Sequence, residues 1–261
     1  MSEKLSIPSI YQLIEQGKVW PASQYSLAAN IPYPDSPLHF LQRGNLHQWT
    51  CSIDELIKHR IWVPPLYVLT HFIFKLLAQH IQSAEIAPSI FWIGRKLWPS
   101  PYLLGQAQLT FQIPLSRWQW DKNCFFLDLR HPQERLLATC YTLRNQNVFA
   151  VVCDGTNFNF KDSRKLQLAV KTGKELGIIV KSPAQFLLPT IASTKWEVSP
   201  KINNEEIFAW KITLSKAPGL TAPLMWQLIS NYYEENSFHI RPLVTSRHEE
   251  EKSAEKQQAS A

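Results

Sequence analysis

The stretch GNLHQWTCSIDELIKHRIWVPPLYVLTHFIFKLLAQHI, residues 44–81, decides the fold class. LHQWTC near its start is typical of a short strand, and PLYVLTHFIFKLLAQHI at its end is typical of a long apolar helix. Pro64 and Pro65 stand at the helix entrance, where proline is tolerated because the first N–H groups have no intrahelical acceptor. The stretch therefore predicts a strand, a connector and a helix, the repeating unit of an α/β protein.

The connector between that strand and that helix lacks the residues that bind phosphate. A phosphate loop needs glycines, which let successive backbone N–H groups point at the oxygens, and a Lys that neutralises their charge. No glycine occurs between Asn45 and Ile93, and the connector carries Asp54 and Glu55, which repel phosphate. The two prolines supply no N–H donor. We therefore predict no ATP binding at this position, and no cofactor.

The strand–helix rhythm continues along the chain. Further strands are predicted at residues 89–94, 124–129, 148–154 and 177–182, and further helices at residues 132–145 and 162–176. Asp162 is expected at or near the N-cap of the last helix. Such repetition implies parallel strands joined by right-handed crossovers. From about Thr194, STKWEVSP and IFAWKITLSK alternate apolar and polar residues without a helix between them, which favours an antiparallel extension at one sheet edge.

Three segments are expected from composition. Residues 1–43 hold a short amphipathic helix around Ile7–Gln16 and a proline-rich arm, IPYPDSPLHF. Residues 44–245 form the α/β domain. Residues 246–261, SRHEEEKSAEKQQASA, are charged and poor in apolar residues, so we expect a disordered tail.

Composition excludes several classes of protein. With 45% hydrophobic residues and 10 Trp among 261 residues, the chain is not disordered as a whole. No apolar run is long enough for a membrane span, and the N-terminus does not have the pattern of a secretory signal. The expected location is the cytoplasm.

The cysteines and histidines do not have the spacing of metal ligands. The chain has four cysteines, and Cys51, Cys124 and Cys153 lie in apolar, strand-like segments. Reduced, buried thiols are therefore expected, with disulfides as the alternative. The eight histidines form neither HExxH nor HxH, so we predict no metal site.

Several stretches together have the order and pattern of a known core. The most specific are SRKLQLA with the strand after it, and the paired TKWEV and AWKITL. Upstream are LHQW, SIFWIG followed by WPSPYLLGQAQL, and CFFLDLRHPQERLLATCYTLRNQNVFAVVCD. These stretches resemble the RecA-like core in the version carried by the ImuA family, whose members are accessory proteins of bacterial error-prone translesion synthesis. The similarity spans roughly residues 38–217. The SulA division inhibitors share the same reduced RecA-like fold.

The resemblance implies a three-layer RecA-like core without a conventional ATPase site. It implies a non-catalytic adaptor that binds an inactive Y-family-like partner and a replicative-type error-prone polymerase, and that contacts single-stranded DNA or a RecA filament. Two alternatives stay open. One is a SulA-type inhibitor that binds the tubulin-like division protein, and the other is a RecA-like ATP-dependent DNA-binding protein.

Asp154 lies where a RecA-like ATPase would hold its metal-side carboxylate, at the end of the fourth strand. This is a degenerate nucleotide-site position, because the phosphate loop is missing. A carboxylate that caps a turn or a helix is the simpler interpretation. No G-x-S-x-G motif or other nucleophile setting occurs, so no catalytic residue is predicted.

Basic residues are concentrated in the second half of the chain. Ten Lys and Arg and five Asp and Glu lie between Lys161 and Lys216, a difference of +5 against +6 for the whole chain. In a RecA-like arrangement, the segments after Asp154 and Lys181 are the DNA-facing loops. The candidate DNA contacts are Lys161, Arg164, Lys165, Lys171, Lys181, Phe158 and Phe160, since cations pair with phosphates and aromatic rings stack on bases. The alternative is a solvated helix face, with both phenylalanines anchored in the core.

Protein contact is expected from a tryptophan-rich segment, residues 95–123, which is read as irregular. The interface candidates are Trp92, Trp98, Trp118 and Trp120, because tryptophan is enriched among interface anchors. Ordinary core packing is the alternative for each of them.

Overall fold

The structure is a computed structural model, and it describes residues 36–52, 64–202, 208–230 and 238–243. The strands of the described residues form one nine-stranded sheet: β1 (Leu46–Cys51), β2 (Ser89–Ile93), β3 (Cys124–Leu127), β4 (Val148–Asp154), β5 (Leu176–Val180), β6 (Thr194–Ile202), β7 (Phe208–Lys216), β8 (Leu224–Ser230) and β9 (Phe238–Pro242).

The described α-helices connect or follow these strands: α1 (Leu66–His80), α2 (Pro101–Thr110), α3 (Trp120–Asn123), α4 (Pro132–Thr142), α5 (Phe160–Gly173) and α6 (Pro183–Phe186). Short 3₁₀ helices occur at Pro37–Phe40 and Arg95–Leu97.

The strand order is β3-β2-β4-β5-β1-β6-β7-β8-β9. Strands β1 to β6 are parallel, whereas β7, β8 and β9 add to the β6 edge as an antiparallel meander. This is the predicted class, a mostly parallel sheet with an antiparallel edge extension. The fold-class prediction is confirmed, and the arrangement is consistent with a three-layer RecA-like core.

Helices cover the parallel part of the sheet on both faces. Buried side chains of α1 and α2 pack on one face, around Trp49, Trp92 and Trp196. Those of α4 and α5 pack on the other face, around Val151 and Ile179. Because strand side chains alternate between faces, a strand covered on both sides must be apolar throughout, and β4 is fully buried.

The sequence dictates how closely α4 and α5 approach. The buried positions of α5 recur every three or four residues, at Ser163, Leu166, Ala169, Val170 and Gly173, which gives one apolar face. A Cβ atom at position 173 would lie 1.9 Å from the carbonyl oxygen of Leu143, just after α4. Only glycine allows this contact.

Some predicted boundaries are wrong. The helix predicted at 162–176 is α5, and it begins at Phe160 because Asn159 is its N-cap, with Asp162 three residues further on in a capping box. The segment 95–123 is not irregular throughout, since it contains α2. Ser100 followed by Pro101 marks the start of α2 and is a recognisable helix signal.

Several predictions fall on residues outside the described ranges. These are the helix around Ile7–Gln16, most of the connector after β1 and the tail at 246–261. The boundaries at 43/44 and 245/246 therefore stay predictions.

Within the described ranges, every helix is too short or too polar to cross a lipid bilayer.

Candidate functional site at the carboxyl ends of the parallel strands

Ligands of open α/β sheets bind outside the carboxyl ends of the strands, where the strand order reverses. Here the reversal lies at β1. The chain leaves β1 through α1 on one face and reaches β2, and it leaves β5 through α6 on the other face and crosses β1 to reach β6. A ligand site is therefore expected at the carboxyl edge around β1, β4 and β5.

The connector after β1 lies mostly outside the described residues, at 53–63. Its far end is described: Pro65 is the N-cap of α1, and no side chain there caps the helix. The absence of phosphate binding at this connector stays a prediction.

Asp154, at the end of β4, is engaged within the protein. Its Oδ1 accepts a hydrogen bond of 2.9 Å from the backbone N–H of Thr156, which closes a turn. Its Oδ2 lies 4.0 Å from Nη2 of Arg135, a guanidinium only 6% exposed. The turn-capping interpretation of Asp154 agrees with this geometry.

Arg135 also holds the backbone around Asp154. Its Nε donates to the Asp154 carbonyl at 3.0 Å, its Nη2 to the Thr156 carbonyl at 3.0 Å and its Nη1 to the Arg130 carbonyl at 2.6 Å. The sequence gives no sign of this role, because the acceptors at 154 and 156 are about twenty residues away along the chain. The nearest signal is a charged residue on the apolar side of α4.

Gly94 lies against Asp154 and Arg135, and we call these three residues together the corner around Asp154. It follows β2 with φ of +111°, and a Cβ atom there would lie 2.7 Å from Cβ of Asp154. Any other residue would be strained and would push Asp154 away from Arg135.

The loops after β4 and β5 are bound to each other. Lys181 Nζ donates to the Phe158 carbonyl at 3.1 Å, and the side chains of Asn157 and Gln185 are joined at 3.3 Å. Gln185 Oε1 also accepts from the backbone N–H of Asn157. These two loops therefore form one continuous layer at the carboxyl edge.

Two candidate DNA contacts are corrected by this layer. Phe158 is 5% exposed and Lys181 is 4% exposed, so both are buried and neither forms part of an exposed DNA-facing surface. Burial lowers the pKa of Lys181, an effect that Asp162 opposes and Lys195 reinforces. Alternating strand patterns do not show which way a loop side chain turns after the strand ends.

The other five candidates lie together on the surface. Phe160 is 53% exposed at the first position of α5. Lys161, Arg164, Lys165 and Lys171 are exposed along the same helix, on the side away from its buried face. We call these five residues the α5 basic face. Three of its cations lie in the first two turns, where the helix dipole already favours anions.

The tryptophan candidates divide in the same way. Trp92 and Trp118 are 0% and 1% exposed, so they are core residues and not interface anchors. Trp118 donates from its ring to the Pro88 carbonyl at 2.7 Å, which satisfies its only polar atom. Trp98 is 42% exposed and packs against Phe126, and Trp120 is half-buried.

The cysteines and the possible metal ligands were compared with the predictions for them, within the described residues. All four cysteines are free and buried, as expected. Burial raises the pKa of Cys51, Cys124 and Cys153 to about 12, so these thiols stay protonated. No group of three His, Cys, Asp or Glu side chains lies together in the described ranges.

No protein-family model matches the chain, and no curated protein matches it.

Proposed function

We propose that the chain is a non-catalytic RecA-like adaptor of the ImuA type, acting in error-prone translesion DNA synthesis. In this role it binds an inactive Y-family-like partner and a replicative-type error-prone polymerase, and it contacts single-stranded DNA or a RecA filament. The three-layer fold and the sequence resemblance support the proposal. The observation that carries it is the engagement of Asp154 by Arg135.

A carboxylate at the end of β4 can assist nucleotide chemistry only if its oxygens are free to face a hydrated metal ion. Here one oxygen caps a turn and the other faces a buried guanidinium. Freeing Asp154 would leave Arg135 buried without its counter-charge, at a cost of several kcal/mol. This corner is therefore suited to stability and not to a catalytic cycle.

DNA contact is proposed at the α5 basic face. Its four cations are exposed and are not ion-paired within the described part of the chain, so they can approach phosphates without first breaking a protein contact. Phe160 adds an exposed ring, on which a base can stack. A helix face with several cations and one aromatic ring favours contact with the nucleic-acid backbone over recognition of the base sequence.

Protein contact is proposed at α2 and the residues around it. Residues 98–116 contain no charged side chain. Trp98, Tyr102, Leu109 and Leu115 on this stretch are 42%, 76%, 70% and 64% exposed. Interface cores are depleted in charge and enriched in aromatic residues, so this stretch fits a protein partner better than it fits DNA.

Co-purification tests the adaptor role. The chain is co-expressed with the two polymerase components of its own genome, as wild type and as Trp98→Ala/Tyr102→Ala. We expect wild type to recover at least one component and the double variant to recover much less. Leu137→Ala/Tyr141→Ala is the matched control, because these α4 side chains are 59% and 67% exposed on another surface. Recovery of the tubulin-like division protein alone would favour the inhibitor alternative.

Calorimetry with ATP and Mg²⁺ tests the non-catalytic part. We expect no heat of binding at micromolar ATP. Micromolar affinity, or ATP hydrolysis that Asp154→Asn abolishes, would contradict the proposal and favour the ATP-dependent alternative.

A further inference from the structure

Two neighbouring polar side chains of β1 are buried without partners. Gln48 and Thr50 are both 0% exposed. Among the described residues, neither the amide nitrogen and oxygen of Gln48 nor the hydroxyl of Thr50 has a hydrogen-bond partner. A buried polar group without a partner is costly and rare, so a pair of them two residues apart on one strand requires a reason.

These side chains share their sheet face with two lysines. In the strand register, Gln48 lies between Ile179 of β5 and Lys195 of β6. Two residues further along β1, Thr50 lies beside Glu197, and Lys181 follows the end of β5. Side chains in register on neighbouring parallel strands point to the same face. The Gln48 and Thr50 side chains therefore share one face with a lysine on each side, Lys181 after β5 and Lys195 on β6.

The charges of this group favour an anion. Lys181 Nζ donates to the Phe158 carbonyl, and Lys195 Nζ lies 4.4 Å from the centre of the Phe186 ring. The one acid in register here, Glu197, accepts a hydrogen bond from the Ser52 hydroxyl. Among the described residues, Asp162 also acts on Lys181 and a third cation, Lys216, acts on Lys195, so three cations stand against two carboxylates.

A short segment, residues 182–193, covers this group where the chain crosses from β5 to β6. We call it the strap. It buries Phe186 and Ala192, whereas Leu187 and Leu188 are 81% and 56% exposed. Lys216 holds it from the β7 side, with Nζ donating to the carbonyls of Thr190 and Ala192 at 2.9 and 3.0 Å. With two apolar anchors over twelve residues, the strap is held less firmly than the strands beneath it.

We propose that Gln48, Thr50, Lys181 and Lys195 form an oxyanion site beneath the strap, which takes a phosphate group. The Gln48 amide and the Thr50 hydroxyl supply hydrogen-bond donors that have no acceptor within the described ranges, and the lysines supply charge. Binding requires the strap to lift by the width of the ligand. The lower cost of the buried donors in the bound state compensates for that movement.

The pKa values of the lysines agree with this geometry. Burial lowers the pKa of Lys181, against the opposing effect of Asp162 and with a further lowering from Lys195. Burial and the charge of Lys216 lower the pKa of Lys195, and Glu197 opposes them. A phosphate between the two lysines would raise both pKa values.

The site stands independently of the proposed function. A free phosphate and the phosphodiester of a nucleic acid present the same oxygens, and the site is built for that shared chemistry. The α5 basic face lies on another element, so DNA binding by α5 and phosphate binding beneath the strap can fail separately.

Thermal unfolding in inorganic phosphate tests the site. Phosphate is titrated at constant ionic strength against chloride, with wild type, Gln48→Leu and Thr50→Val. We expect the wild-type Tm to rise with phosphate, by about 3–5 °C at tenfold excess over Kd. We expect this rise to be lost in Gln48→Leu and reduced in Thr50→Val, although neither variant is less stable than wild type in chloride, because each removes an unsatisfied polar group.

The control is Gln227→Leu, a half-buried glutamine on β8 outside the site, which should keep the wild-type rise. It separates specific binding from the general stabilising effect of phosphate. An equal rise in wild type, Gln48→Leu and Gln227→Leu would overturn the proposal.

A second variant covers the case in which Gln48→Leu does not fold. Lys195→Gln keeps a long polar side chain but removes the charge, and it should weaken phosphate binding at least tenfold. Unchanged affinity in Lys195→Gln would also overturn the proposal.

Amide exchange identifies the source of the phosphate. The exchange rates of residues 187–193 are compared with inorganic phosphate, with an oligothymidylate and with neither. Protection by both ligands, with competition between them, assigns the site to a phosphodiester. Protection by inorganic phosphate alone assigns it to a free phosphate. Protection by neither would contradict the site.

Discussion

The two edges of the parallel sheet are held by different chemistry. At the carboxyl edge, Arg135 and Lys181 donate to backbone carbonyls of the loop after β4. Arginine does not lose its proton in proteins, and backbone carbonyls do not titrate, so the hydrogen bonds of Arg135 to these carbonyls do not depend on pH.

At the amino edge, the contacts involve groups that titrate. Arg43 binds the carboxylate of Glu175, 2% exposed, at 2.7 Å. Burial raises the pKa of Glu175 to about 7, and Arg43 opposes the rise. His47 donates from Nε2 to the Gln42 carbonyl and accepts at Nδ1 from the Thr194 hydroxyl, and burial lowers its pKa to about 4.

The comparison shows what each edge can do. Around Asp154 the carboxyl edge, where this fold class places its ligands, is occupied by Arg135. The amino edge makes the stability depend on pH. Function is therefore expected on the outer surfaces and under the strap, and not in the corner around Asp154.

The largest expected effect comes from removing the cation of the carboxyl edge. Arg135→Met leaves the carbonyls of Asp154, Thr156 and Arg130 without their donor and Asp154 without its counter-charge. We expect a loss of about 3–5 kcal/mol in the free energy of unfolding, measured by urea titration. Arg144→Met, an exposed arginine just beyond α4, should change it by less than about 0.5 kcal/mol. A similarly small change in Arg135→Met would mean that Arg135 does not stabilise the carboxyl edge.

Acid should weaken the amino edge. His47 has a folded pKa of about 4 against 6.5 when unfolded, so the unfolded state binds the extra proton between these values. Stability is therefore full above pH 6.5 and falls as the pH drops towards 4, by about 3 kcal/mol for this residue. His71, also buried with a pKa of about 4, contributes in the same direction.

Urea titrations at pH 7, 5.5 and 4.5 measure this loss. His47→Gln should be less stable than wild type at pH 7 but should lose less on acidification. His39→Gln, at an exposed histidine, is the matched control and should follow wild type. Parallel curves for wild type and His47→Gln would contradict the assignment.

Glu175 should act in the opposite direction and more weakly. Its folded pKa of about 7 lies above the value of 4.5 that is usual for a solvated glutamate, so the folded state binds the extra proton. This contribution is full below pH 4.5 and is lost as the pH rises through 7. After allowance for solvent screening we expect about 1–2 kcal/mol. Glu175→Gln keeps a hydrogen-bond acceptor for Arg43 but cannot ionise, so between pH 4.5 and 7 its Tm should rise more than that of wild type, because the opposing contribution of Glu175 is removed. An equal rise in both proteins would exclude Glu175 as the source.

The sequence was sufficient to predict the layers of the fold, but it did not predict the side-chain contacts at the ends of the strands. Alternation of strands and helices predicted the sheet class, because burial on one or two faces sets the periodicity of each element. The same logic could have placed Trp92, since it lies in SIFWIG, a strand expected to be covered on both faces. Arg135 and Gln48 could not be found, because their significance depends on contacts, or on missing contacts, with residues far along the chain.

The smallest effect on the fold, and the most direct test of the outer surface, concerns the α5 basic face. Lys161→Ala/Arg164→Ala/Lys165→Ala removes three cations near the start of a helix, where the dipole disfavours them, so the free energy of unfolding should rise by a few tenths of a kcal/mol. Binding of an oligothymidylate should weaken, and the slope of log K against log salt should become shallower by about 2, near 0.7 for each lost phosphate contact.

The control removes the same charge elsewhere on the exposed surface, as Arg95→Ala/Lys122→Ala/Arg130→Ala, and should keep the wild-type slope. If both triple variants reduce the slope equally, the chain attracts DNA only through its net charge of +6, and α5 is an ordinary solvated helix. If only the α5 variant reduces the slope, and its free energy of unfolding rises slightly, the three α5 cations contribute to DNA binding and not to stability. A fold optimised for stability alone would not place three cations at that end of the helix.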